Sequence, residues 1–311
     1  MPLGAIFPGQ GSQSVGMLSE LAAQYDTVRQ TFSEASERLG YDLWRLVQEG
    51  PADALNATEN AQPAVLTAGI SLWRIWHEEG GAPPMLMAGH SLGEYTALAC
   101  AGVIDFADAV SLVAHRGRLM QEAVPAGHGA MAAIIGLGVR ELEELCQRLA
   151  EGEVVSCANF NAPGQVVIAG DKEAVGRVVS EAKALGASRV VLLPVSVPSH
   201  CALMAPAAER LAERLRGLHL CRPMIPVVHN VDASTRNESD DIVDALVSQL
   251  SQPVRWVEVV QAMTRMGVDA LVELGPGSVL TALCRRIDRE LTCLPTSHPN
   301  KLETALFGQS K

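Results

Sequence analysis

Residues 84–95 read PMLMAGHSLGEY, and the architecture of the chain turns on why a serine stands between two glycines where an apolar run gives way to a helix. The run PMLMA (Pro84 to Ala88) is short and apolar, as a buried strand is. EYTALACAGV after it is rich in helix formers, with Glu94 in the first turn, where an acid complements the helix dipole. Strand, sharp turn and helix is the local reading. Gly89, Ser91 and Gly93 complete G-x-S-x-G, the nucleophile-elbow pattern, in which a strained turn lifts a serine oxygen to the top of a sheet. Glycines two residues to either side leave room where a Cβ would collide, and the N–H groups opening the next helix can meet a developing oxyanion. His90, beside the serine on such a turn, points away from it and suits a pocket wall better than a base.

The same transition recurs at both ends of the chain. LGAIFP leads through GQGSQ to a helix, and DALVELG (Asp269 to Gly275) leads through PGS into VLTALCRRI. Repeated strand-to-helix steps imply an α/β fold, a mainly parallel sheet flanked by helices in a hydrolase-like core, with its functional loops at the carboxyl ends of the strands.

The middle of the chain has another rhythm, beginning after VPAGHG (Val124 to Gly129). AMAAIIGL reads as a strand, VRELEELCQRLAEG as a helix, and VVSCANFNAPGQVVIAG as two strands around a turn. DKEAVGRVVSEAKALG is a helix opened by an Asp cap, and SRVVLLPVSV is a closing strand. The order βαββαβ is ferredoxin-like. The expected division is a discontinuous large core, 1–126 and 197–311, with a small subdomain, 127–196, inserted into it. A cleft should lie between the two, with Ser91 before the insertion and PSHC (Pro198 to Cys201) directly after it.

Composition narrows the function. A net charge of -11 argues against a general nucleic-acid binder, which needs basic surface to neutralise phosphates. Seven scattered cysteines without a C-x-x-C pair read as those of a reduced cytoplasmic protein. No apolar run is long enough for a membrane span, and no H-E-x-x-H or Cys/His spacing suggests a metal. GQGSQSVG resembles phosphate-binding loops, but Gly16 comes too late for a dinucleotide fingerprint, and Met17 and Leu18 stand where a P-loop needs Lys and Ser/Thr. What remains is a Gly-rich turn able to set Gln10 beside the serine.

A serine nucleophile needs a base, and His200, where the chain re-enters the large core after Pro194 and Pro198 fix its path, is the candidate. On the helix from Phe106 to Glu122, Ala109, Leu112, Val113, Leu119 and Met120 form an apolar face, and Arg116 lies within it, whereas Arg118 falls on the polar side. A buried arginine keeps its charge and needs an anion. That anion is either an internal carboxylate or the carboxylate of a substrate, gripped through parallel hydrogen bonds.

FPGQGSQ (Phe7 to Gln13), GHSLGEY, Arg116 in HRGRLMQ, NFNAPGQVVIAG, VPSH, HNVDA, QLSQPVRW and ELGPG occur in this order. Together they resemble the malonyl-CoA:acyl-carrier-protein transacylases, over the chain to about Ile287. The resemblance implies that Ser91 attacks the malonyl thioester with His200 as base, that Gln10 and the Leu92 N–H hold the oxyanion, and that Arg116 binds the malonyl carboxylate. It also implies that a backbone carbonyl near Gln249 orients the histidine in place of an acid. His90, Met120, Asn159 and Asn161 would shape the substrate cleft. HNVDA departs from an expected asparagine pair, which places His229 beside Asn230.

Malonyl-CoA and acyl carrier protein are then the partners, coenzyme A is a substrate and not a cofactor, and a monomer is compatible with the sequence. Arg189, Arg285 and Arg286 are candidates for docking an acidic carrier. The carrier could serve fatty-acid synthesis, a polyketide system or malonate decarboxylase. A serine esterase is the distant rival; it would need an acid oriented toward His200, and Asp232 is the one to examine.

Overall fold

The computed structural model describes residues 1–125, 127–195 and 197–308. The strands are β1 (Leu3–Phe7), β2 (Leu86–Gly89), β3 (Gly129–Ile135), β4 (Val155–Ala162), β5 (Gln165–Asp171), β6 (Arg189–Leu192), β7 (Val227–Val228), β8 (Ala270–Glu273) and β9 (Thr292–Pro295). Five of them form a wholly parallel sheet in the order β7-β2-β1-β8-β9. A parallel sheet must be covered on both faces, so its inner strands are mainly apolar rather than alternating, β1 and β2 throughout and β8 up to Glu273. In β1, Ala5 and Phe7 join one core with Met87 and Val272, while Ile6 packs on the opposite face with Ala88, Val228 and Leu271.

The other four strands form an antiparallel sheet in the order β4-β5-β3-β6. Helices Val139–Leu149 and Lys172–Ala184 cover one of its faces through a separate core that includes Leu142, Leu145, Val175 and Val178. This is the βαββαβ order expected from the sequence. The segment boundaries themselves fall at Ala126 and Ser196, which lie outside the described residues, as do residues 309–311.

Two local expectations need correction. Asp171 precedes its helix but does not cap it; its carboxylate accepts the Val154 N–H at 2.7 Å and so ties β5 to the loop before β4. The closing strand, expected to run from Ser188 to Val197, is assigned only to Arg189–Leu192. Pro194 has no N–H to continue a ladder.

The antiparallel sheet joins the rest of the chain along the outer edge of β4, which bridges to Val254 while still pairing with β5. Phe160 N–H donates to the Val254 carbonyl and Val254 N–H to that of Ala158, both at 2.9 Å. Asn161 is thereby brought to His90, directly after β2.

Candidate active site

The turn after β2 is an elbow because its backbones approach too closely for any side chain. A Cβ on Gly89 would lie 1.9 Å from the Gly93 carbonyl carbon, and one on Gly93 would lie 2.0 Å from the Phe7 oxygen. Ser91 between them has φ 53° and ψ -109°, a conformation in which a non-glycine residue is strained by about 1–3 kcal/mol. Asn230, directly after β7, holds the turn there: its Oδ1 accepts the Ser91 N–H and its Nδ2 donates to the Gly89 carbonyl, each at 2.7 Å.

Ser91 Oγ lies 2.7 Å from His200 Nε2, and His200 Nδ1 lies 2.6 Å from the Gln249 carbonyl. A carbonyl only accepts, so Nδ1 carries the imidazole proton, Nε2 is the acceptor and the serine hydroxyl donates to it. Burial, and then the charge of Arg116, push His200 down to about 3, against a smaller opposing effect of the Gln249 carbonyl. The imidazole is therefore neutral near neutral pH and able to take the serine proton. Among the described residues no acid bonds it. Partial burial pushes the Asp232 carboxyl up, but hydrogen bonds from Arg236 and Ser234 outweigh this and hold it at about 2.

Helix Leu92–Cys100 begins at the serine, and the Leu92 N–H, at its first position, donates to no described residue. Such N–H groups, at the positive end of a helix, suit an oxyanion. Gln10 sits in the loop after β1, which the elbow touches through the His90 N–H to Phe7 carbonyl bond of 3.0 Å. Its amide donates to Thr58 Oγ1 at 3.2 Å, at the start of helix Thr58–Glu78.

Arg116 is 1% exposed on helix Phe106–Ala123, on the apolar face the sequence predicts. Its Nη1 donates to Gln62 Oε1 at 2.9 Å, and its Nη2 to Gln249 Oε1 at 3.0 Å and to Ser91 Oγ at 3.4 Å. The guanidinium carbon stands 5.1 Å from the Tyr95 ring centroid. Both strong partners are neutral amide oxygens, and among the described residues no carboxylate bonds it directly. Among them Nε also finds no hydrogen-bond partner. A desolvated cation thus lies beside Ser91, with Met120 next to Gln62, whose amide it meets at 3.4 Å. Arg118 is exposed, and Glu122 pairs with Arg210 at 2.6 Å.

His90 forms the wall that the sequence suggests. Its Nε2–H donates to Asn161 Oδ1 at 2.8 Å, its ring centroid is 5.6 Å from that of Trp256, and burial lowers its pKa. Asn159 is buried at the β4 to Val254 bridge. Farther out, Arg189, Ile135 and Gln165 stand in one row across the antiparallel sheet, and Arg286 donates to Gln165 Oε1 at 2.6 Å. Arg285 donates to the Cys293 carbonyl at 2.9 Å.

Three contributors are given no site role by the sequence, although two of them stand inside quoted motifs. Gln62 is a fully buried amide in an otherwise apolar helical run, and that burial pattern is its only signal. Asn230 sits at the carboxyl end of a parallel strand, the position where such sheets place functional groups. Glu94 passes for a dipole-complementing acid but is fully buried, with its carboxylate inside the site.

A model of the acyl transferase domain family matches residues 5–307, beyond the Ile287 limit read from motifs. The chain is 57% identical over 301 residues to the malonyl CoA-acyl carrier protein transacylase of Escherichia coli K12, covering 97% of each. It is 43% identical over 302 residues to that of Bacillus subtilis, covering 97% of this chain and 95% of the other. Among solved structures, a malonyl-transacylase in complex with a type II PKS acyl-carrier protein aligns with a TM-score of 0.98 at 54% identity, covering 99% of this chain and 100% of that one. An acyl carrier protein S-malonyltransferase from Vibrio cholerae aligns with a TM-score of 0.95 at 54% identity, covering 98% and 99%. The motif order, the serine elbow and these matches agree, and the chain belongs to the malonyl CoA-acyl carrier protein transacylase family of acyl transferases.

Proposed function

We propose that the protein transfers a malonyl group from malonyl-CoA to the phosphopantetheine thiol of an acyl carrier protein through a malonyl-serine intermediate. One observation carries this reading: a serine bonded to a neutral histidine and a buried guanidinium without a carboxylate partner stand within 3.4 Å of each other. A nucleophile and an anion clamp on one spot select an acyl donor that is itself an acid.

Ser91 Oγ attacks the thioester carbonyl while its proton passes to His200 Nε2. The oxyanion faces the Leu92 N–H and the Gln10 amide, and Arg116 holds the distal carboxylate. Collapse of the tetrahedral adduct breaks the C–S bond, and coenzyme A leaves as a thiol with the proton from His200. The carrier thiol then gives its proton to His200 and attacks the serine ester, whose oxygen recovers that proton. This is a ping-pong cycle in which the chain needs no cofactor. The Gln249 carbonyl serves as the orienting group in place of the acid an esterase would use, which favours transfer over the esterase reading.

The row from Arg189 to Gln165, with Arg286 and Arg285 at its edge, is a basic patch on a chain of net charge -11 and offers the carrier its docking site. We place the enzyme in the cytoplasm, supplying extender units for fatty-acid synthesis. A polyketide carrier is a second reading, favoured by the solved relative bound to one.

Intact-protein mass spectrometry after brief exposure to malonyl-CoA tests the intermediate. A malonyl adduct should form on the wild type, be absent from Ser91→Ala and be discharged by a holo carrier protein. An adduct that persists on Ser91→Ala removes the serine from the mechanism, and free malonate without an adduct makes water the acceptor.

A further inference from the structure

Glu94 is a buried carboxylate at the site that the transfer steps leave unused. Its Oε1 accepts from His229 Nδ1 at 2.7 Å, and its Oε2 from the Asn230 N–H at 2.9 Å and from Gln249 Nε2 at 2.8 Å. An ionised carboxylate only accepts, so it fixes which way the Gln249 amide points. The NH2 face is claimed by Glu94 and by the Ser91 carbonyl, at 3.0 Å, which leaves Gln249 Oε1 facing Arg116 at 3.0 Å. The buried cation and the buried anion are thus separated by a single amide.

This arrangement joins the two alternatives for Arg116. An internal carboxylate does balance the guanidinium, but at one remove, so only neutral groups occupy its Nη atoms and Nε is left without a partner. We propose that Glu94 is a positioning residue that sets how strongly Arg116 grips the donor carboxylate, by aiming Gln249 at the guanidinium and by opposing the incoming negative charge. The inference rests on the malonyl-transfer reading and deepens it. In a desolvated site a guanidinium with no nearby anion would bind carboxylates tightly and release them slowly; a counter-charge one amide away weakens the clamp without occupying it.

The test is Glu94→Gln. The amide oxygen can accept from Asn230 and Gln249, and the new NH2 can donate to His229 Nδ1 once the imidazole proton moves to Nε2, an atom with no hydrogen-bond partner. Shape is kept and charge is lost. KM for malonyl-CoA should fall by at least about threefold while KM for acetyl-CoA stays within about twofold, because only the malonyl group meets the changed field. A purely structural residue would move both donors together and upward, and that result overturns the proposal. A wild type that transfers no malonyl group would instead undo the reading beneath it.

Thermal unfolding provides a second readout that does not require activity. Arg116→Met leaves Glu94 as an uncompensated buried charge, so adding Glu94→Gln should raise the unfolding temperature above that of Arg116→Met alone, even where Glu94→Gln by itself folds poorly. A double variant no more stable than that single one shows the charges to be uncoupled and contradicts the proposal.

Discussion

The turns after β2 and β8 have the same plan, a buried parallel strand running into the amino end of a helix, and they treat that end in opposite ways. After β8 the helix Val279–Ile287 is closed from within: Glu273 accepts the Leu280 N–H at 3.0 Å, and the Thr281 N–H and hydroxyl at 2.7 and 2.6 Å. After β2 no carboxylate fills the helix end: the Gly93 and Glu94 N–H groups turn to the His90 and Ser91 carbonyls, and the Leu92 N–H, like that of Val279 at the first position of the other helix, donates to no described residue. The backbone strain is also placed differently. At β8 the positive φ falls on Gly277, at 78°, whereas at β2 it falls on Ser91, at 53°. A helix end filled by an internal carboxylate is part of the scaffold. One with no carboxylate on it, behind a strained serine, suits an anion.

If the contrast is right, the two turns should fail in different ways. The largest effect is expected at Asn230→Ala, which frees the Ser91 N–H and the Gly89 carbonyl together. Misplacing the nucleophile by about 1 Å should lower kcat about a hundredfold with KM for malonyl-CoA little changed, measured in steady-state transfer to holo carrier protein. Glu273→Gln should do the reverse. It places an NH2 against N–H donors and should lower unfolding free energy by about 1–3 kcal/mol in denaturant titrations, with kcat within about twofold of wild type. A rate loss there as deep as that of Asn230→Ala would erase the distinction between scaffold and site. The smallest effect belongs to the rim: Arg285→Glu combined with Arg286→Glu should raise KM for the carrier about three- to tenfold and leave KM for malonyl-CoA unchanged.

Much of this was legible before any coordinates. PMLMAGHSLGEY states its strand, turn and helix through composition alone, and the buried stripe around Arg116 follows from helical spacing. The second sheet is readable because its strands and helices alternate with distinct periods. Contacts that span great sequence distance are not readable in this way. Asn230 reaches Ser91 across 139 residues and Gln62 reaches Arg116 across 54, and neither residue type announces a partner. The Asp171 cap failed for a related reason: a good local cap lost to the Val154 N–H, which only the folded sheet brings near. Glu94 is the clearest case. A first-turn acid is an ordinary surface feature, and only the arrival of His229, Asn230 and Gln249 from the far end of the chain makes it a buried charge.

The central claim is that Arg116 is held in reserve for the carboxylate of the acyl donor. Parallel measurement of kcat/KM for malonyl-CoA and acetyl-CoA on the wild type and on Arg116→Ala tests it most directly. The malonyl value should fall by about a hundredfold or more while the acetyl value changes by no more than several-fold, because only the malonyl group loses a charge-assisted pair. Equal losses for the two donors would make Arg116 a structural support of the serine and would contradict the account.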